Sequence, residues 1–437
     1  MTTTFARHRS SRWALPVLVG AALVSAACAA DTDATSSSGT TPTTGAGAAA
    51  PVDYATPGPY RVGTTELEIS AEPCPTDPAT SCPRKAVVFY PADPTAAADT
   101  TRIEGYRTSV AFPESARAVL PAEFDQEIDL TGVEVYDAPV ASDEGPFPVV
   151  LHSHGFSGYY LFESRSMAHL ASWGFVVAAP DHKERSLGGL LFGGGAGADA
   201  TADQDVRDMQ NLLTALRDEN VSDGMLKGAS DFEELAVTGH SAGGSTAGRL
   251  IAVDNTVDAF IGKAPVPPVA LGPDASRLTG PERIAALEEA FQTTDPPGVP
   301  VMLIAGERDA TIALDTIEQT YDWLDAPKRL VVVANAGHNA FTDLCGPIRA
   351  QGGLSKFAEQ VPALAPVLQL GEDGCVDGFL PPEQGDALIN HLLVAQLRWV
   401  FKLDPTDASL SPDYLAAQFP EAFGSEQADP TPATPAG

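Results

Sequence analysis

The stretch Leu235-Ala236-Val237-Thr238-Gly239-His240-Ser241-Ala242-Gly243 decides the fold of this chain. An apolar run precedes the pentapeptide G-x-S-x-G, and the helix-forming segment Thr246–Ile251 follows it. A strand, a tight turn and a helix form the context in which such a serine is held at the apex of a strained turn, with glycines where side chains would collide. A chance match in a chain with 39 glycines is the alternative, and the flanking strand argues against it. Ser241 is therefore the predicted nucleophile.

Strand-like apolar segments alternate with helical segments along the chain. The predicted strands are 66–70, 86–90, 148–151, 175–179, 235–238, 259–262, 299–305 and 330–334, and the clearest predicted helices are 164–173, 202–220, 316–324 and 386–401. From Pro148 onward the strands are continuously apolar, as expected when both faces of a sheet are covered. The pattern predicts an α/β fold with a mostly parallel central sheet and helices on both faces, and an antiparallel edge formed by the first two strands. The glycine-rich segment 188–197 lacks the features of a phosphate-binding loop and predicts a mobile surface loop.

A serine hydroxyl needs a base within hydrogen-bond reach and a third group that orients this base. In a strand-turn-helix site of this kind the acid and the histidine both follow the serine in the chain. Only His338 and His391 do so. His391 lies within the closing helix, where a structural role is the simpler interpretation, whereas His338 lies in a short loop after the strand 330–334. We predict that His338 is the base.

The acid is expected in a loop that follows a strand between these two positions. Asp309 meets this condition, since catalytic groups of open α/β sheets gather at the carboxyl ends of the strands. Glu307 and Asp315 are rivals: Glu307 directly follows the same strand, and Asp315 has an alternative role at the start of a helix. We predict Asp309 as the acid.

Acyl transfer also needs hydrogen-bond donors for the oxyanion of the tetrahedral intermediate. The predicted donors are the backbone N–H groups of Ala242, directly after the nucleophile, and of Phe156, in the loop His152-Ser153-His154-Gly155-Phe156. A His-x-His pair without a third ligand is weak support for zinc, so no metal and no cofactor are predicted.

Several segments resemble the platelet-activating-factor acetylhydrolases of the α/β-hydrolase superfamily. They are Phe147–Phe156, Leu170–Ala179, Asp181–Ser186 and the nucleophile turn from Gly239 to Gly244. The resemblance implies an α/β-hydrolase fold and an esterase core.

One position departs from that family. The acetylhydrolases carry their catalytic aspartate after the strand that follows the nucleophile, where this chain has Ile261-Gly262-Lys263. From Pro300 the sequence instead resembles secreted bacterial polyester hydrolases and cutinase-like lipases, and Asp309 and His338 match the acid and base positions of those enzymes. The acyl substrate stays open between the two groups.

The amino-terminal residues 1–30 have the features of a signal peptide. Three arginines precede an apolar stretch of eleven residues, Ala14–Val24, which is shorter than the ~20 residues that span a bilayer. An uncleaved anchor is the alternative.

Cys28 lies where a bacterial lipoprotein signal carries its lipid-modified cysteine, although Ser25 departs from the usual pattern. The four other cysteines, Cys74, Cys82, Cys345 and Cys375, allow two local disulfides in an oxidising compartment.

Composition divides the rest of the chain. Residues 31–57 predict a flexible linker, residues 58–405 the catalytic domain, and residues 406–437 an extension that is largely disordered from about residue 425. A net charge of −32 without basic patches argues against nucleic acid as a partner, and nothing in the sequence fixes the oligomeric state.

Together these features predict a secreted or lipid-anchored serine carboxylester hydrolase of the bacterial cell envelope. Its substrate would be a small-molecule, lipid or polymeric ester. An amidase, peptidase or acyltransferase on the same fold stays open, as does a non-catalytic binding lipoprotein.

Overall fold

Ten strands form one continuous sheet in the part of the chain that the structure describes. This computed structural model describes residues 50–71, 82–98, 106–111, 114–117, 125, 127, 132–192, 198–271, 280–350, 352–354 and 365–430. The strands are β1 (Val62–Ala71), β2 (Cys82–Pro91), β3 (Val133–Tyr136), β4 (Phe147–Ser153), β5 (Val176–Pro180), β6 (Ser230–His240), β7 (Ala259–Lys263), β8 (Val301–Gly306), β9 (Lys328–Val333) and β10 (Phe423–Asp429). The predicted signal peptide, Cys28, Cys74 and most of the predicted linker lie outside the described residues.

The strand order is β10-β9-β8-β7-β6-β4-β5-β2-β1-β3. The six strands from β4 to β9 are parallel to their neighbours within this group, whereas β2 runs antiparallel to both β1 and β5. The carboxyl ends of β6, β8 and β9 therefore lie at one edge of the sheet, where the predicted catalytic residues follow them.

Helices cover both faces of the sheet. They are α1 (Glu114–Arg117), α2 (Ser164–Ser172), α3 (Leu187–Phe192), α4 (Ala198–Val221), α5 (Ala242–Ile251), α6 (Gly280–Thr293), α7 (Leu314–Trp323), α8 (Cys345–Ala350), α9 (Ala365–Glu372), α10 (Pro382–Val400) and α11 (Pro412–Gln418). Alternate residues of one strand serve different cores: Ala236 packs in the cluster that contains α2 and α10, and Val237 in the cluster that contains α4 and α7. This burial of both faces confirms the predicted fold class.

Three segments differ from the sequence predictions. The tail predicted to be disordered from about residue 425 instead contributes β10, which pairs antiparallel with β9. Tyr54, within the predicted linker, is almost fully buried, and its hydroxyl donates a 2.5 Å hydrogen bond to Asp404 Oδ2. The predicted glycine-rich loop begins as helix α3, in which Gly188 and Gly189 are buried, while residues 193–197 lie outside the described part.

The polar sequence of β10 explains the first difference. Its side chains are exposed or half-buried, because it is an edge strand that pairs with β9 on one side only. A segment with so few buried residues carries no apolar alternation that would identify it as a strand. Among the described residues, no helix is long and apolar enough to span a membrane.

Candidate active site

Ser241 stands between the end of β6 and the start of α5. Its backbone angles, φ +55° and ψ −122°, are unfavourable for any residue other than glycine. Neighbouring backbone holds this conformation from both sides: Ser241 N–H donates to Lys263 O at 3.0 Å, and Val266 N–H donates to Ser241 O at 2.9 Å. The turn predicted from the pentapeptide is therefore present, with the serine at its apex.

The glycines of the pentapeptide are required by close backbone approaches. A Cβ atom on Gly243 would lie 1.9 Å from Ser153 O, and one on Gly239 would lie 2.2 Å from Gly243 O. Both distances are far inside van der Waals contact. Strand, turn and helix can pack this closely only because these positions carry no side chain.

Asp309 and His338 meet at the carboxyl ends of β8 and β9. His338 Nδ1 and Asp309 Oδ2 form a 2.8 Å hydrogen bond in which the imidazole donates, and both residues are more than nine-tenths buried. The other carboxylate oxygen, Oδ1, accepts the backbone N–H groups of Thr311 at 2.8 Å and Ile312 at 2.7 Å. The carboxylate is thus fixed from both sides and orients the imidazole.

The rival residues have other partners. Glu307 Oε2 accepts the N–H of Asn335 at 2.8 Å, and Asp315 lies in the first turn of α7. His391 accepts the N–H of Tyr54 at 3.1 Å and donates to a backbone carbonyl, that of Ser409, at 2.7 Å. Each of these side chains has a local structural role.

His240, the variable residue before the nucleophile, links the turn to the base. Its Nε2–H donates to His338 O at 2.9 Å, and the two ring centroids are 4.7 Å apart. Burial, followed by the charge of His338, holds the pKa of His240 well below its usual range, so the ring is neutral. His240 therefore fixes the base loop against the end of β6, a role that its place in the motif did not indicate.

The two predicted oxyanion donors lie at the start of α5 and in the loop that follows β4. Ala242 is the first residue of α5, and its N–H precedes the intrahelical hydrogen bonds. A Cβ atom on Gly155 would lie 3.4 Å from Ser241 Cβ, so the loop that carries Phe156 reaches the serine. Neither N–H, of Phe156 or of Ala242, has an acceptor within the described chain. Both are available to a bound oxyanion.

A buried guanidinium holds the Phe156 loop in place. Arg185 Nη2 donates to Ser153 Oγ at 2.8 Å and to His154 O at 2.5 Å, and Ser157 N–H donates back to Arg185 O at 2.9 Å. Arg185 Nη1 in turn pairs with Asp205 at 2.8 Å. Arg185 therefore holds the loop by hydrogen bonds on both sides of Phe156. The resemblance of the segment Asp181–Ser186 to the acetylhydrolases does not by itself indicate this role.

One group of side chains has the spacing of a metal site among the described residues: His182, Asp205 and Asp208. Each carboxylate already pairs with a guanidinium, Asp205 with Arg185 at 2.8 Å and Asp208 with Arg84 at 3.1 Å. These guanidinium groups supply the positive charge that a cation would bring. Burial also raises the pKa of Asp205 to about 6. The group fits a structural polar network better than a metal centre.

The two histidines of the His-x-His sequence have separate partners. His152 Nε2 lies 3.0 Å from Glu163 Oε1, whereas His154 Nε2 accepts the backbone N–H of His182 at 3.0 Å. They do not face a common ligand position.

Lys263 occupies the place at the end of β7 where the acetylhydrolases carry their acid. Its ammonium pairs with the carboxylate of Glu163, and both side chains are about 1% exposed. Burial lowers the pKa of Lys263 to about 7. Glu163 was not identified from the sequence, because only the fold brings residues 100 positions apart together.

Comparisons with known proteins agree with this architecture. Residues 138–313 match the chlorophyllase family, and residues 55–192 match the family of platelet-activating factor acetylhydrolase, isoform II. Both families are of the α/β-hydrolase type. The chain is an α/β-hydrolase. The acetylhydrolase resemblance noted in the sequence is thereby confirmed.

A solved structure is similar to this α/β-hydrolase over most of its length. It is a ferulic acid esterase from Streptomyces cinnamoneus, with a TM-score of 0.56 and 21% sequence identity, over 84% of this chain and 97% of that one. At this identity the likeness establishes the fold. The two family matches indicate a hydrolase of carboxylic esters.

Proposed function

We propose that this α/β-hydrolase is an exported serine carboxylester hydrolase that works through Ser241, His338 and Asp309. The observation that carries the proposal is the 2.8 Å hydrogen bond between Asp309 and His338, on a base loop that His240, the residue before the strained Ser241, holds by a 2.9 Å hydrogen bond to His338 O. A histidine oriented by a buried carboxylate next to a strained serine is the arrangement that nucleophilic acyl transfer requires.

In this mechanism His338 takes the proton of Ser241 as Oγ attacks the ester carbonyl. Asp309 keeps the Nδ1 proton in place, so that Nε2 is free to accept, and it stabilises the imidazolium that forms. The N–H groups of Phe156 and Ala242 bind the oxyanion of the tetrahedral intermediate. His338 then protonates the departing alcohol. Water repeats the sequence on the acyl-enzyme and releases the acid.

The substrate class is a carboxylic ester, supported by the acetylhydrolase and esterase comparisons. An amidase, peptidase or acyltransferase would use the same residues, and a panel of esters and amides of matched acyl group separates these activities. Phospholipid and polyester film belong in the same panel, since the sequence resemblances point to these two classes, and a small aryl ester serves as the reference substrate.

Export rests on the sequence of residues 1–30 and on the disulfide between Cys345 and Cys375, a bond typical of oxidising compartments. Attachment through a lipid on Cys28 is part of the proposal. A Cys28→Ser chain that stays in the same membrane fraction as the wild type would contradict the lipid anchor.

The decisive experiment compares wild type with Ser241→Ala. We expect hydrolysis of short p-nitrophenyl esters to be lost in the variant, together with covalent labelling by a fluorophosphonate probe. Ser245→Ala is the matched control, because Ser245 lies one turn further along α5 and its hydroxyl bonds to Pro267 O. Full ester hydrolysis by Ser241→Ala would refute the proposal; a wild-type chain that neither reacts nor labels would favour a non-catalytic binding protein.

A further inference from the structure

The segment that follows α9 lies against both loops of the catalytic pair. The Asp373 side chain accepts two hydrogen bonds through Oδ2, from the backbone N–H of Ala310 at 3.1 Å and from Thr311 Oγ1 at 2.8 Å. Its backbone carbonyl accepts the N–H of Asn339 at 2.8 Å. One residue thus binds the two positions after Asp309 and the position after His338.

We propose that Asp373 is a positioning residue that holds the acid and base loops in register. The inference rests on the proposed function, because Asp373 would act only through Asp309 and His338. Thr311 links Asp373 directly to the predicted acid. Its N–H donates to Asp309 Oδ1, and its hydroxyl donates to Asp373. Loss of the Asp373 carboxylate would free the residues that fix the Asp309 side chain.

The base loop fits closely onto the same residue. A Cβ atom on Gly337 would lie 2.5 Å from Asp373 Oδ1 and 2.5 Å from the backbone nitrogen of Gly374. The loop therefore has no room to move toward Asp373, and the N–H of Asn339 restrains it from moving away. His338 lies between these two contacts.

A covalent link anchors the positioning residue. Cys375 forms the disulfide with Cys345, whose Sγ lies 3.3 Å from Asn339 O. The disulfide joins the segment of Asp373 to the chain just after the base loop. The two cysteines are 30 residues apart in the chain, and Asp373 lies two residues before the second of them.

The test separates positioning from simple stability. Asp373→Ala removes the acceptor for Ala310 and Thr311, and we expect kcat for a p-nitrophenyl ester to fall about 10- to 100-fold with little change in KM, because small misplacements of catalytic groups cost rates of this order. Asp373→Asn keeps an amide oxygen that accepts both hydrogen bonds, so we expect it to restore kcat to within about threefold of wild type. Melting temperatures are measured alongside.

Glu372→Gln is the matched control. It makes the same chemical change one residue earlier, where the side chain binds the N–H of Leu354 rather than a catalytic loop. We expect it to leave kcat unchanged. Cys345→Ser with Cys375→Ser should lower kcat in the same direction as Asp373→Ala; an unchanged kcat would remove the disulfide from the proposal.

Failure of this inference differs from failure of the proposed function. If wild type hydrolyses esters and Asp373→Ala does so with the same kcat, Asp373 has no positioning role. A variant that loses kcat only in proportion to its loss of folded protein also overturns the inference. A wild-type chain without esterase activity overturns the proposed function instead.

Discussion

At the scale of single residues, the two carboxylate oxygens of Asp309 have different partners. Its Oδ2 orients His338, and its Oδ1 closes the turn formed by Thr311 and Ile312. The nearby carboxylate of Glu307 is exposed and faces Asn335. Two acids separated by a single residue therefore have different partners, in agreement with the choice of Asp309 over its rival Glu307 as the predicted acid.

Asp309→Asn should lower kcat by roughly 10⁴-fold, because an amide in this place favours the wrong histidine tautomer. Glu307→Gln is the matched control and should stay within about twofold, since exposed substitutions have small effects. Initial rates on a short aryl ester check both. Equal losses of kcat in the two variants would show that the assignment of Asp309 as the acid is wrong.

The position of Lys263 allows a second check on the acid. Lys263→Asp would place a new carboxylate beside that of Glu163 within the core, a repulsive pair in place of an attractive one. We therefore expect Lys263→Asp not to restore activity to Asp309→Ala. Restored activity would mean that the acid position of the acetylhydrolases still reaches His338.

His240 gives a prediction for pH. Its pKa in the folded chain is held well below 6.5, so below pH 6.5 the unfolded chain binds a proton that the folded chain does not. The free energy of unfolding therefore falls as pH falls. His240→Gln can keep the hydrogen bond to His338 O without this proton. From pH 7.5 to 5.5, the stability of wild type relative to this variant should decrease by up to about 1.4 kcal/mol.

Urea unfolding of both proteins at the two pH values measures this difference. The comparison isolates one group, because the other buried histidines are common to both proteins. A stability difference that does not change with pH would show that His240 is not held neutral.

At the scale of elements, the junction of β6 and α5 leaves no room for a side chain at two of its glycines, Gly239 and Gly243. Gly243 admits no side chain because Ser153 O of the neighbouring strand lies where its Cβ would be. The same contact brings β4 and its loop beside the nucleophile. The packing that forms the turn is therefore also the packing that positions the predicted oxyanion donors.

Gly243→Ala should abolish activity and lower the melting temperature, since its Cβ would lie 1.9 Å from Ser153 O. Gly346→Ala is the control: nothing lies within 4 Å of its Cβ, and α8 should gain about 0.5–1 kcal/mol from the replacement. Thermal unfolding and ester hydrolysis are the measurements. A folded, active Gly243→Ala protein would contradict the close approach.

The elements that the sequence predicted share one property. Strands such as β8 and β9 are apolar on both faces, so their burial is visible in the residues themselves. The nucleophile, acid and base could be proposed because fixed chain order and few histidines restrict the choice. These site assignments remain predictions for the experiments above.

What the sequence could not predict depends on distant partners. Three contacts join residues that are far apart in the chain. They are the pair of Glu163 and Lys263, the hydrogen bonds of Asp373 to both catalytic loops, and the hydrogen bonds of Arg185 to the Phe156 loop. β10 was missed because an edge strand need not be apolar. Local pattern carries no information on such contacts.

At the scale of the whole molecule, the carboxyl-terminal segment completes the sheet. β10 covers the free edge of β9, and its Glu426 pairs with the buried guanidinium of Arg329. Asp407 also binds Arg329, at 2.8 Å. Segments predicted to be an extension thus belong to the catalytic domain.

Ending the chain after Ala422 should therefore destabilise the protein by at least about 3 kcal/mol, because it removes a strand and one partner of a buried charge. The uncovered edge of β9 should also promote association between molecules. Ending the chain after Pro430 keeps β10 and is the control. Urea unfolding and light scattering test both, and equal stability of the two chains would contradict a structural role for β10.

The backbone conformation of Ser241 lowers the stability of the fold at the position of the proposed nucleophile. A residue other than glycine at φ +55° and ψ −122° costs about 1–3 kcal/mol, which the rest of the fold must supply. A glycine there would relieve this cost and yield a sturdier but inert protein. Stability and catalysis are therefore opposed at this position, because the proposed nucleophile lowers the stability of the fold that holds it.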